Sequence, residues 1–312
     1  MRRVAVSVDV TESLPADVTQ GARLSIAAWV YAPATIVGGR PVVISLLNGG
    51  TYDKRYFDFE VPGRTGYSCA KALSAQGFYV VLLDHLGVGE SSRAPTEKLV
   101  TRKVAALANH AAVEWIHAKL RAGELDPALP IVPDFLKVGG GHSMGAFQTI
   151  TQQAAHHTYE RVLILGYTAI GVHLTMGDQV VSADGGPIAD GEPDYFHHDR
   201  SRLHKTFHWD DVPADVIAVD DSLAVEVPCV LSRQSTMMGI VTEDAGRIDV
   251  PVYICLGERD VSPDPHAEPG YYRASSDVTL HILPRSGHCQ NFATTRGEMY
   301  ARIGGWIRSL EG

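Results

Sequence analysis

The run Gly141-His142-Ser143-Met144-Gly145 has the form G-x-S-x-G, a serine held between glycines. Glycine at those positions permits a sharp turn in which neighbouring backbones come close and the hydroxyl is pushed outward. A serine hydroxyl is a poor nucleophile at neutral pH, so it needs a general base, and the base needs a carboxylate to orient it. Both types occur downstream. Glu258, Asp260 and Asp264 follow the apolar run 250–256, and His288 follows the apolar run 278–283. Such a set would attack a carbonyl carbon, carry the acyl group on Ser143 and release it to water. A glycine-rich turn with an incidental serine is the competing reading, and the setting of the motif decides between them.

That setting is a predicted strand at 135–138 leading into the motif and a helical pattern over 146–157 leaving it, the strand-turn-helix that G-x-S-x-G requires. Residues 4–10 and 24–31 read as strands paired antiparallel. Short, nearly unbroken apolar runs at 41–47, 78–84, 161–166, 250–256 and 278–283 read as strands buried on both faces. Helical spacing fills 66–76, closed by Gly77, and 294–310. It also fills 98–121, where Val104, Leu107, Ala111, Trp115 and Leu120 share one face and Gly123 ends the helix. The alternation predicts an α/β fold with a mostly parallel central sheet and helices on both faces. Ligands of such sheets gather at the carboxyl ends of the strands, which would bring Ser143, the acid and His288 to one rim.

Residues 172–247 break the rhythm with proline and glycine breaks, acidic pairs and histidines, and are expected to form an inserted lid subdomain. The chain then divides into a first core part, 1–171, the insert, 172–247, and a second core part, 248–312. Phe207, Trp209, Met237 and Met238 are candidates to line an apolar pocket over Ser143, with Tyr52 adding its hydroxyl from the core. Asp194, His197, His198, Asp199, His204 and His208 raise a metal site, yet the spacing fits no H-E-x-x-H or similar zinc pattern and no metal is expected.

These motifs together resemble the α/β-hydrolase superfamily, in its serine-nucleophile branch of esterases, lipases and thioesterases. The likeness covers nearly the whole chain outside 172–247. It rests on the turn at Ser143, on Asp84-His-Leu-Gly87-Val-Gly89-Glu-Ser91, similar to the family's D-x-x-G-x-G-x-S, and on Gly287-His288. It implies the α/β-hydrolase fold, with Ser143 as nucleophile, His288 as base and Asp260, at G-x-x-D spacing from Gly257, as acid. The order serine, acid, histidine agrees with it. It also implies an oxyanion hole from the backbone N–H groups of Met144 and Gly50. Here the chain departs from the pattern, with Asn48-Gly49-Gly50-Thr51 where many members have His-Gly. Backbone donors do not depend on the side chain at 48, but the choice among Gly49, Gly50 and Thr51 stays open.

The implied activity is hydrolysis of a carboxylic ester, lactone or thioester, without metal or organic cofactor. Acyl transfer or C–C bond cleavage on the same triad is the alternative, and a non-catalytic binding protein on this scaffold is a third reading. Haloalkane dehalogenase and epoxide hydrolase chemistry is disfavoured, because those relatives carry aspartate where Ser143 stands.

Composition limits the partners. The 312 residues hold 27 Lys plus Arg against 36 Asp plus Glu, a net charge of −9 with no long run of either sign. Phosphate binding needs a concentrated basic face, so nucleic acid is not an expected partner. No apolar run approaches the roughly 18 residues that span a bilayer, and no membrane partner is expected. Ser7 and Asp9 interrupt the first apolar stretch before it reaches the length of a secretory leader. The four scattered cysteines, Cys69, Cys229, Cys255 and Cys289, read as reduced packing residues. A cytoplasmic protein with a small-molecule substrate bearing an apolar portion is the expectation, and a homo-oligomer is left open.

Overall fold

The computed structural model describes residues 1–176, 178–185, 191–197 and 199–309. The apolar runs form strands: β1 (Arg2–Asp9), β2 (Ser25–Ala32), β3 (Val42–Leu47), β4 (Tyr79–Leu83), β5 (Leu136–His142) and β6 (Arg161–Leu165). The chain continues through β7 (Val172–Met176), β8 (Gln179–Ala183), β9 (Tyr195–Phe196), β10 (Val227–Pro228), β11 (Val252–Gly257) and β12 (Val278–Leu283). Eight of them build one sheet in the order β1-β2-β4-β3-β5-β6-β11-β12. β1 and β4 flank β2 antiparallel, and every later pairing is parallel. Parallel strands share an end, so the carboxyl ends of β3, β5, β11 and β12 open on the same rim.

Both faces of this sheet are covered, which is why its strands read as unbroken apolar runs. Along β3, Val43 and Leu47 face one apolar cluster while Val42, Ile44 and Leu46 face the other. The helices are α1 (Ala16–Thr19), α2 (Cys69–Ala75), α3 (Arg102–Ala122), α4 (Met144–His156), α5 (His204–Phe207), α6 (Ala214–Ser222), α7 (Cys229–Thr236), α8 (Thr242–Ala245) and α9 (Arg296–Ser309). Helices α3 and α4 join the first cluster, and α2 and α9 the second.

One expectation needs correction. The predicted face of α3 is rotated: Leu120 is buried as expected and Val104, Leu107 and Ala111 are half-buried, but Trp115 is exposed and the helix buries Ala105, Ala108, Ala112 and Ile116 beside them. Small alanines let α3 lie close to α4 and the sheet, a reason for burial that hydrophobic spacing does not rank above a tryptophan. The end expected for the terminal helix, Leu310, lies outside the described residues.

Within 172–247, β7 and β8 pair as an antiparallel hairpin and β9 pairs with β10. Val180 and Val181 on the hairpin are exposed, so no buried run marked it as strand. Among the described residues the segment builds no core of its own. Val227, Leu231, Val241 and Ala245 join the first cluster of the main sheet, and Phe207, Val212 and Val216 join the second.

Candidate active site

Ser143 sits between β5 and α4 with φ 54° and ψ −119°, a conformation an L-residue rarely adopts and one that costs on the order of 1–3 kcal/mol. Its surroundings enforce it. A Cβ on Gly145 would lie 1.9 Å from the carbonyl oxygen of Leu47, and one on Gly141 would lie 2.3 Å from the backbone carbon of Gly145. The Ser143 N–H donates to the Leu165 carbonyl at 2.8 Å, tying the turn to β6. Ser143 is half-exposed, whereas Gly141, His142 and Met144 on either side are buried.

Asp260 follows β11, and His288 follows β12, its neighbour in the sheet. Asp260 Oδ1 accepts from His288 Nδ1 at 2.6 Å and from the Val261 N–H at 2.7 Å. Its Oδ2 accepts from the Gly257 N–H at 2.7 Å and from Gln290 Nε2 at 2.9 Å. Three donors besides the histidine therefore fix the carboxylate. With Nδ1–H held by Asp260, the neutral ring presents Nε2 as its basic atom. The two other acids of the sequence reading lie apart: Glu258 accepts from the Arg285 N–H and Asp264 caps the Ala267 N–H.

His142, inside the motif, was not singled out by sequence. Its Nε2 bonds the His288 carbonyl at 2.8 Å, and its ring stacks on Tyr56 at 4.5 Å. Burial, with His288 nearby adding to it, holds the His142 pKa well below the ordinary 6.5. The ring is neutral, so Nε2–H is the donor in that bond. Gln290, two residues past the base, was missed too.

The turn after β3 lies opposite Ser143. A Cβ on Gly49 would come within 2.9 Å of His142 Nδ1 and 3.2 Å of Ser143 Cβ, so only glycine fits there. Gly50 is less crowded, its nearest neighbour being Met144 at 3.9 Å, and Thr51 has φ 66°. The Tyr52 N–H donates to the Gly49 carbonyl, and the Asn48 side-chain amide donates to the Tyr52 carbonyl. His85 reaches the Asn48 carbonyl from below at 2.8 Å. The D-x-x-G-x-G-x-S segment buttresses the next residues: Asp84 is buried and accepts from the Lys54 N–H, Lys54 Nζ and the Glu90 N–H.

Ser143, Met144, His288, Gly50, Thr51 and Tyr52 share a cavity of about 170 Å³. Segment 172–247 completes its wall with Val172 and Leu174 from β7, Leu203 and Phe207, and Ser232, Ser235 and Thr236 from α7. Their spacings, two along a strand and three or four along a helix, were the available signal. Phe207 is thus in place, but Trp209, Met237 and Met238 are not. Trp209 lies past α5, partly buried against the second cluster and under the Arg259 guanidinium at 4.6 Å. Helix α7 ends at Thr236, so Met237 falls off the face that carries Ser232 and Ser235. Met238 is exposed and lies against Gly171. Tyr52 lines the cavity, yet its hydroxyl is engaged by Asp220 at 3.2 Å and Cys289 at 3.3 Å.

Two histidines of the insert lie beside separate acids. His204 meets Asp221 at 2.9 Å and His208 lies 3.2 Å from Asp220. His198 lies outside the described residues. All four cysteines are free and buried.

Comparison with known proteins agrees with this architecture. The chain belongs to the alpha/beta hydrolase family, whose pattern matches residues 46–302. Solved structures supply the same fold at low identity. A bromoperoxidase from Bacillus anthracis is 14% identical with a TM-score of 0.63, over 99% of this chain and 100% of that one. A thermophilic esterase from Thermogutta terrifontis is 14% identical with a TM-score of 0.61, both chains being covered completely. An N-acyl homoserine lactonase is 14% identical with a TM-score of 0.60, over 98% of this chain and 97% of that one. No curated protein sequence matches the chain. No helix among the described residues is long and apolar enough to cross a membrane.

Proposed function

We propose that this alpha/beta hydrolase is a serine hydrolase that cleaves a small, uncharged carboxylic ester, lactone or thioester. The observation that carries the reading is the 2.6 Å bond from His288 Nδ1 to a fourfold-bonded Asp260, with His288 and Ser143 on one cavity. Ser143 Oγ attacks the substrate carbonyl while its proton passes to His288 Nε2. The tetrahedral oxyanion takes hydrogen bonds from the backbone N–H groups of Met144 and Gly50, at the positive end of α4. Its collapse expels the alcohol or thiol, which leaves with the proton from His288. Water, giving its proton to the same nitrogen, then frees the acid from Ser143.

The cavity indicates the substrate. No Asp, Glu, Lys or Arg lines it among the described residues, one wall is aliphatic and aromatic, and another carries serine and threonine hydroxyls. At about 170 Å³ it is smaller than the roughly 300–1,000 Å³ of drug-sized sites. A short acyl group with an apolar portion fits that description, and residues 172–247 serve as the lid that covers it. The chemistry calls for no metal or organic cofactor.

Labelling with a fluorophosphonate tests the reading. The wild-type chain is expected to form one adduct, at Ser143, and Ser143→Ala to form none and to lose ester turnover. A folded wild-type chain that does not label would be a binding protein. Labelling accompanied by transfer to an added alcohol in preference to water would mark an acyl transferase.

A further inference from the structure

Arg200 comes from segment 172–247 and ends beneath the turn after β3. Its side chain is 2% exposed. Nε donates to Thr51 Oγ1 at 3.1 Å, and Nη2 donates to the Thr51 carbonyl. Nη1 donates to the Asp220 carboxylate at 2.9 Å and to the Asp220 carbonyl at 2.6 Å. The guanidinium lies flat on the Tyr52 ring at 3.9 Å, and the Tyr52 hydroxyl closes the circle on Asp220. The Thr51 carbonyl takes a further bond from the Val225 N–H at 3.0 Å, again from the same segment.

This is more than a surface salt bridge. Burying a guanidinium and a carboxylate together is costly, and such pairs are poor sources of net stability. The arrangement instead spends four hydrogen bonds from the three guanidinium nitrogens on one threonine and one aspartate, geometry that only a planar guanidinium supplies. Its target is a residue at φ 66°, next in sequence to Gly50. Left to itself a threonine favours other backbone regions, so the turn needs an outside hold. The N–H groups of Gly50 and Thr51 meet no acceptor among the described residues, so both are free to serve an oxyanion.

We propose that Arg200 is a positioning residue for the oxyanion hole, holding the 49–52 turn through Thr51. The segment that closes the cavity thereby also governs transition-state stabilisation: the turn is held in its productive shape only while residues 200, 220 and 225 are docked. The inference rests on the serine-hydrolase reading above.

The test measures the rate of fluorophosphonate labelling, separated into kinact and the binding constant KI, beside the melting temperature. Labelling that is absent from wild type, or that survives Ser143→Ala, overturns the hydrolase reading and the clamp with it. Where wild type labels at Ser143, Arg200→Lys is expected to lower kinact by about 10²-fold, the low end for losing an oxyanion donor, with KI changed less than about threefold. Millimolar guanidinium is expected to restore labelling to Arg200→Ala. Thr51→Val removes the hydroxyl acceptor but keeps the side chain's shape and the unfavourable φ, so it is expected to lower kinact with KI changed less than about threefold. A folded Arg200→Lys with wild-type kinact overturns the clamp and leaves the hydrolase reading standing. Should Arg200→Lys fail to fold, an unchanged kinact in Thr51→Val overturns it equally.

Discussion

Gln290 donates to the oxygen of Asp260 that His288 does not use, at 2.9 Å. The amide stands two residues beyond His288 and so ties both ends of the Asp260–His288 pair to one short stretch of chain. Hydrogen bonds to charged groups contribute about 1.5–3 kcal/mol. Gln290→Leu is therefore expected to lower labelling and turnover about 10-fold, and Gln290→Glu, which sets a second carboxylate against Asp260, to lower them further. Unchanged turnover in both variants would leave Gln290 as packing.

Groups that act as a unit lose activity together and only once. Asp260→Asn is expected to cost on the order of 10⁴ in turnover by favouring the wrong tautomer of the imidazole. Ser143→Ala, His288→Ala and the double variant are expected to share one residual rate. Additive losses in the double variant would show that Ser143 and His288 do not belong to one mechanism.

Phe207 and Leu203 belong to the apolar wall, with Val172 and Leu174, that segment 172–247 contributes to the cavity. Truncating either to alanine enlarges a site of about 170 Å³, so kcat/KM for a series of p-nitrophenyl esters is expected to shift toward longer chains. Trp209→Ala and Met238→Ala, an outer pair that does not line the cavity, are expected to leave the ranking alone. A ranking altered by the outer pair and not by the inner pair would place the substrate elsewhere.

His85 carries an acid-stability prediction. It is wholly buried against the Asn48 carbonyl, and burial lowers its pKa from 6.5 to about 4. Between those values the unfolded chain binds a proton that the native ring refuses, so stability falls as pH drops from about 6.5 toward 4. The gap of about 2.5 pH units is equivalent to roughly 3 kcal/mol, nearly all of it present above pH 6.5. Denaturant unfolding of His85→Gln is expected to show a flatter pH profile through that window than wild type. Parallel profiles would assign the acid sensitivity to other groups.

The sheet was legible because strands covered on both faces leave unbroken apolar runs, and β3, β4, β6 and β11 all do so. The turn at Ser143 was legible because its glycines answer to steric contacts that leave no alternative residue. Asp260 and His288 follow from their positions after strand ends, and the structure joins them. What sequence could not rank was contact across the chain. Trp209 and the Met237-Met238 pair look like pocket residues by type, while the actual lining includes Ser232, Ser235 and Thr236, small hydroxyl residues distinguished only by the face of α7 they occupy. Arg200 reads as one more charge in a polar stretch, since nothing local marks it for Thr51, 149 positions away.

The order in which the parts are made has its own consequence. His142 and His288 are 146 positions apart, so during synthesis the strained serine turn emerges long before its base, and β12 is the last strand to reach the sheet. Until β12 adds to the open edge beside β11, His288 has no Asp260 carboxylate to orient it, and on the serine-hydrolase reading the growing chain would be chemically silent. The His142–His288 contact that joins the two halves of the site is of the slow, non-local kind, and on the serine-hydrolase reading it makes fluorophosphonate labelling a timer for completion of the fold: in a refolding experiment, labelling should return with docking of the last strand and not with recovery of bulk helix.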